Sequence, residues 1–264
     1  MIVDFDPFAM TEPDEVPLER APLTRVIAQV RFPTLTSLGR ADFIIPFQER
    51  IRERYPILHP EHGAGFLLGP AGVTIQKNDV TIWRFQSTAN DWRVSLAPDF
   101  VALESTAYKD RDDFFERLEH IVTALEVVVN PVISDRLGLR YINRIRGPEF
   151  ERLGTMIRRE ILGIGATTIA GRVYSVCESV FTQGTVSLHT RWGLVPPGAT
   201  TDPTSVEPIG EPSWILDLDM SRAEQVRFDV RGIVADGRSF AKTIHNFFRW
   251  SVTPDFLKAY GGKP

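Results

Sequence analysis

Alternation constrains this chain more than any other feature. In Thr24–Phe32, Val26, Ala28, Val30 and Phe32 fall on one side of an extended backbone; Arg25, Ile27, Gln29 and Arg31 fall on the other. The same two-residue period recurs five more times. Trp83 and Phe85 oppose Arg84. Trp92, Val94 and Leu96 oppose Arg93. Leu137, Leu139 and Tyr141 oppose Arg136, Arg140, Ile142 and Arg144. Leu188, Thr190 and Trp192 oppose His189 and Arg191. Leu216 and Leu218 oppose Asp217 and Asp219. One apolar face and one arginine-bearing face per strand predict antiparallel sheet with helices on one side only.

Between these strands lie amphipathic stretches. Phe43, Phe47, Ile51 and Tyr55 recur at a four-residue step, stopped by Pro56. A longer helix is predicted from Asp110 to Val129, with Phe114, Leu118, Ile121, Val122, Leu125 and Val129 as its stripe and Asn130-Pro131 as its end. Gly147-Pro148 opens a third helix, with Phe150, Leu153, Met156, Ile157 and Ile161 on one side. A fourth carries Phe240, Ile244, Phe247, Phe248 and Val252, ending at Thr253-Pro254. Further strand pairs are read at Val73–Lys77 and Val80–Ser87, turning at Asn78-Asp79, and at Trp92–Ala97 and Phe100–Ser105, turning at Pro98-Asp99.

The order strand, helix, antiparallel strands, helix therefore occurs twice. The predicted class is α+β: two tandem β-α-β(3-4)-α repeats joined into one curved antiparallel sheet with helices on one face. The first repeat spans residues 1–134 with an N-terminal extension, the second 135–264. Residues 195–213, with Pro196, Pro197, Pro203, Pro208 and Pro212, are expected to form a long flexible hairpin insertion. The element order resembles that of the TATA-binding protein and its relatives, whose paired units form a saddle; this is a likeness of order, and order does not fix function.

Chemistry-bearing motifs are sparse. Cys177 is the only cysteine, which excludes an intrachain disulfide and a thiolate-clustered zinc site. No H-E-x-x-H helix, nucleophile elbow or P-loop occurs. Gly63-Ala-Gly65 and Leu68-Gly-Pro-Ala-Gly72 read as turns. No catalytic residue, metal site or cofactor is assigned. The opening Met1-Ile-Val-Asp-Phe-Asp-Pro-Phe8 has no basic region followed by an apolar run, so no membrane association and a cytoplasmic location are expected.

Two stretches, Pro17-Leu-Glu-Arg-Ala-Pro-Leu-Thr-Arg-Val-Ile-Ala-Gln-Val-Arg-Phe32 and Arg136-Leu-Gly-Leu-Arg-Tyr-Ile-Asn-Arg-Ile145, resemble the N-terminal and central signatures of a sporadically distributed family of uncharacterised prokaryotic proteins. The resemblance spans nearly the whole chain and implies one recurrent architecture. It supplies no catalytic residues. Patchy distribution implies an antitoxin, immunity or defence-accessory role.

Net charge of -4 argues against a general nucleic-acid coat, yet 25 of the 30 basic residues are arginine. If the strands share one sheet, Arg25, Arg31, Arg84, Arg93, Arg140, Arg144, Arg146 and Arg191 form a face suited to a carboxylate, a phosphate or an acidic protein partner. The same face also fits cross-strand pairing with Glu104, Glu178, Asp217 and Asp219. The leading expectation is a non-enzymatic binding protein with a protein partner. The alternatives are nucleic-acid binding on the sheet, and an enzyme on a phosphate or nucleotide substrate using Arg140, Arg144 and Asp217 or Asp219.

Overall fold

The computed structural model describes residues 5–9, 11–69, 72–167 and 169–263, and the side chains of these apart from 62–79. The class is α+β with one nine-stranded antiparallel sheet. In chain order the strands are β1 (Leu23–Arg31), β2 (Ile57–Gly69), β3 (Gly72–Gln86), β4 (Trp92–Ala97), β5 (Phe100–Ser105), β6 (Ile133–Ile145), β7 (Ser175–Gln183), β8 (Val186–Val195) and β9 (Ser213–Arg227). Their order in the sheet is β2-β3-β4-β5-β1-β6-β9-β8-β7. The helices are α1 (Ala41–Ile51), α2 (Arg111–Val129), α3 (Leu153–Met156), α4 (Arg159–Leu162), α5 (Val230–Ser251) and α6 (Pro254–Ala259). Among the described residues, no helix is long and apolar enough to cross a membrane.

The chain forms two compact units, and neither is one half of the sequence. One comprises residues 27–138 and 223–237; the other comprises 1–26, 139–222 and 238–264. Their boundaries fall inside β1, β6, β9 and α5, so each unit draws on both sequence halves.

In the first of these units the strand alternation is realised as burial. Phe85, Val94, Leu96 and Leu103 are fully buried. Helix α2 covers them with Phe114, Leu118, Ile121, Val122 and Leu125 of the predicted stripe, while Val129 at its end is half-buried. The Asp110 carboxylate accepts from the Asp113 amide at 2.8 Å, and Asn130 ends the helix in the left-handed conformation (φ 50). Helix α1 differs from expectation. It buries Ile44, Phe47 and Ile51, an i, i+3, i+7 row, while Phe43 is 46% exposed. Phe43 lies in the first turn, where the Arg40 guanidinium stands 5.5 Å above its ring. No turn forms at Asn78-Asp79. β3 continues through it as one strand, and its register against β2 shifts there, from His62 opposite Thr81 to Ala64 opposite Lys77. Gly63 to Gly65 accordingly belong to a strand, not a turn.

In the other unit, α5 lays Phe247 against Phe181 of β7 and Trp192 of β8, with ring centroids 5.6 and 6.5 Å apart. Thr253 caps α6 by accepting from the Phe256 amide. The single helix predicted after Gly147 is broken. Two short 3-10 segments flank α3 and α4, and Ile157 between them is extended (φ -115, ψ 139), forming a β-bridge with Val252. Ile157 N still donates to Leu153 O at 3.0 Å, but Arg158 N donates to Ser251 O and Thr253 N to Met156 O, so the chain leaves the helix there.

Candidate functional site

The polar side of β6, β9, β8 and β7 in this second unit carries a ladder of charges. Register places Glu178 opposite Arg191 and Arg191 opposite Asp217. Arg140 grips Asp217 with both arms of its fork: Nε donates to Oδ1 at 2.8 Å and Nη2 to Oδ2 at 2.6 Å. Arg191 Nε donates to Glu178 Oε1. Row by row, the cross-strand pairing expected of an antiparallel polar face is present.

A second layer lies over the ladder. The proline-rich segment 196–212 is a folded strap, not a flexible insertion. Gly198 N donates to Ile209 O at 2.8 Å, and Val206 N donates to Asp202 O at 2.8 Å. The Thr200 hydroxyl donates to Val206 O, and Val206 is 4% exposed. The Asp202 carboxylate accepts from the Thr204 amide at 3.0 Å and its hydroxyl at 2.6 Å, a side-chain turn of the kind Asp favours before Pro. The strap is then tied down by arginines. Arg140 Nη1 donates to Asp202 Oδ2 at 2.8 Å and to the Ser205 hydroxyl at 3.3 Å. Arg191 Nη1 donates to Thr201 O at 3.4 Å, and Arg146 pairs with Glu211 at 3.3 Å. Hydrogen-bond partners, not apolar burial, explain why this composition holds a fixed shape.

Between ladder and strap is a cavity of about 210 Å³, lined by Arg140, Arg191, His189, Glu178, Asp202, Asp217 and Asp219 among others. Two arginines face four carboxylates, so the wall is acidic on balance. Burial alone would raise the Asp202 carboxyl; hydrogen bonds from Thr204 and Arg140 and the Arg140 charge outweigh it, holding it at about 2. Arg140 loses solvent by burial, yet Asp217 and Asp202 hold its proton more firmly than usual.

The structure divides the eight sequence-selected arginines sharply. Arg31, Arg84 and Arg93 belong to the other unit, where they meet Asp99, Glu61 with Ser95, and Glu104 respectively. Arg25 is half-buried on β1. Arg140, Arg146 and Arg191 are carboxylate-paired as described. Arg144 is different. It is 8% exposed and its Nη1 donates to the Glu207 carbonyl at 2.7 Å, while Nε and Nη2 are buried without an acceptor. Burial, and then the neighbouring Arg146 charge, push its pKa down. Sequence reasoning missed the strap residues Asp202, Ser205 and Glu207. The turn signature Asp202-Pro203-Thr204 was readable, but the face it would dock on was not. Among the described residues, no group of three His, Cys, Asp or Glu side chains could hold a metal. Comparison of the chain with protein-family models, with curated proteins and with solved structures finds no match.

Proposed function

We propose that this chain is a non-enzymatic binding protein that receives an acidic group of a protein partner at Arg144, beneath the 196–212 strap. One observation carries the reading: a guanidinium buried with a carbonyl as its sole partner. Leaving a buried charge uncompensated costs several kcal/mol, and a carboxylate or phosphate offered to Nε and Nη2 removes that cost through a two-pronged hydrogen bond. The chain's other arginines favour this reading over the alternatives. Nucleic-acid binding draws on cations available to phosphates, whereas six of the eight candidates hold carboxylates. Catalysis at Arg140 and Asp217 needs a group able to give or take a proton, and their forked pairing occupies both. The tandem-repeat reading and the family resemblance are part of the same proposal. The observed element order, strand-helix-four strands-helix and then strand-short helices-three strands-helix, supports the former.

Thermal unfolding in inorganic phosphate and in sodium chloride at matched ionic strength tests the Arg144 site. The wild-type chain gains Tm in phosphate. Arg144→Met starts higher without phosphate, because the uncompensated charge is gone, and does not respond to it. A variant that loses stability and keeps the phosphate response refutes the site.

A further inference from the structure

The two terminal strands of the sheet are built differently. β2 carries Pro60 and a register break between His62 and Ala64, both of which discourage an edge from templating another strand. β7 pairs with β8 over all nine residues without a break, and it contains neither proline nor lysine. Glu178 projects from it with a side chain 62% exposed, and Val180 is 54% exposed. Just before it, Val173 and Tyr174 are 66% and 55% exposed. Glu178, Ser179 and Val180 also form the outer wall of the acidic cavity, which continues inward through His189, Arg191 and Asp219.

We propose that β7 accepts an extended segment of a protein partner as an added strand, and that a lysine or arginine of this segment pairs with Glu178 at the outer wall of the cavity. Strand addition draws its affinity from main-chain hydrogen bonds and its specificity from the pockets that alternate side chains meet. Here the pocket is charged. Its two arginines are outnumbered by four carboxylates, and Arg140 is already engaged by Asp217, Asp202 and Ser205. A cation set opposite Glu178 completes the charge ladder outward by one row. Residues on either side of that cation cover Val173 and Tyr174. A second copy of the chain is the wrong occupant, because it brings another Glu178 and another acidic wall to a chain whose net charge is already -4. This surface is separate from Arg144 and does not depend on it.

The test uses the full chain and an acetylated, amidated nonapeptide of alternating valine and lysine, with calorimetry and hydrogen exchange as readouts. The peptide binds and slows exchange across residues 175–183. N-methylation of alternate peptide amides weakens binding at least tenfold. Glu178→Gln, a surface change that leaves the fold intact, weakens it several-fold and lessens its dependence on salt. Equal binding of an alternating valine–glutamate peptide, indifference to N-methylation, or protection away from β7 overturns the proposal. Protection of β7 that rises with protein concentration in the absence of peptide also overturns it, naming a second copy as occupant.

Discussion

Asp202 shows how a single side chain can hold a loop in place. Its carboxyl sits at about 2, against an ordinary value of 3.8, because hydrogen bonds and the Arg140 charge overcome burial. The folded value is the lower one, so this group stabilises the fold fully above pH 3.8 and loses that effect as pH falls toward 2. Its side chain is 21% exposed, and the shift corresponds to about 2 kcal/mol. Asp202→Asn keeps an oxygen for Thr204 but gives up the charge that holds Arg140. Denaturant titration from pH 7 to pH 2 checks the outcome. The variant is about 2 kcal/mol weaker at pH 7, and the gap to wild type closes as pH approaches 2.

At the scale of elements, Gly193 sets how closely β7 can approach β8. Its φ is +147, and a Cβ there would lie 1.9 Å from the Ser175 carbonyl oxygen and 2.8 Å from the Val176 Cα. Neither atom belongs to a flexible side chain, so the strand itself must shift. Gly193→Ala is therefore expected to cost about 3 kcal/mol and to raise amide exchange at the Ser175 end of β7 before the rest of the unit opens. The sequence made elements like these legible in proportion to how local their causes are. α2 was readable from its stripe and Asn-Pro stop, both within about twenty residues. β4 and β5 were readable from alternation around Pro98-Asp99. The helix after Gly147 was misread because Val252, nearly a hundred residues away, recruits Ile157 into a bridge. The site followed the same rule. Arginines on the polar strand faces were visible in the alternation. The pairing of Arg93 with Glu104, Arg140 with Asp217 and Arg191 with Glu178 was readable there too. The further pairs with Asp202 and Glu211 depended on where the loop would land, and a loop's composition does not say that.

At the scale of the whole molecule, sequence halves and compact units do not coincide. Residues 139–222 complete one unit only with 1–26 and 238–264, and residues 27–138 complete the other with 223–237. The N-terminal extension illustrates the dependence. Phe5 stacks on Trp250 with centroids 4.5 Å apart, the Asn246 amide donates to Pro7 O at 3.1 Å, and Arg20 N donates to Tyr260 O at 3.1 Å. A fragment 135–264 thus loses the ring that covers Trp250 and the partners of Asn246 and Tyr260. A fragment 1–134 loses residues 223–237, including Phe228, whose amide bonds Val132 O at 3.0 Å, and Gly237, whose Cα side lies against the Phe115 ring. Each fragment leaves a unit with exposed apolar surface and unpaired backbone, costs that exceed the small net stability of a domain. Expressed alone, both fragments are expected to lack cooperative thermal unfolding and near-ultraviolet circular dichroism. Mixed, they regain both, because the missing residues of each unit are then supplied by the other fragment. Independent cooperative unfolding of either fragment would show that the sequence halves are domains after all.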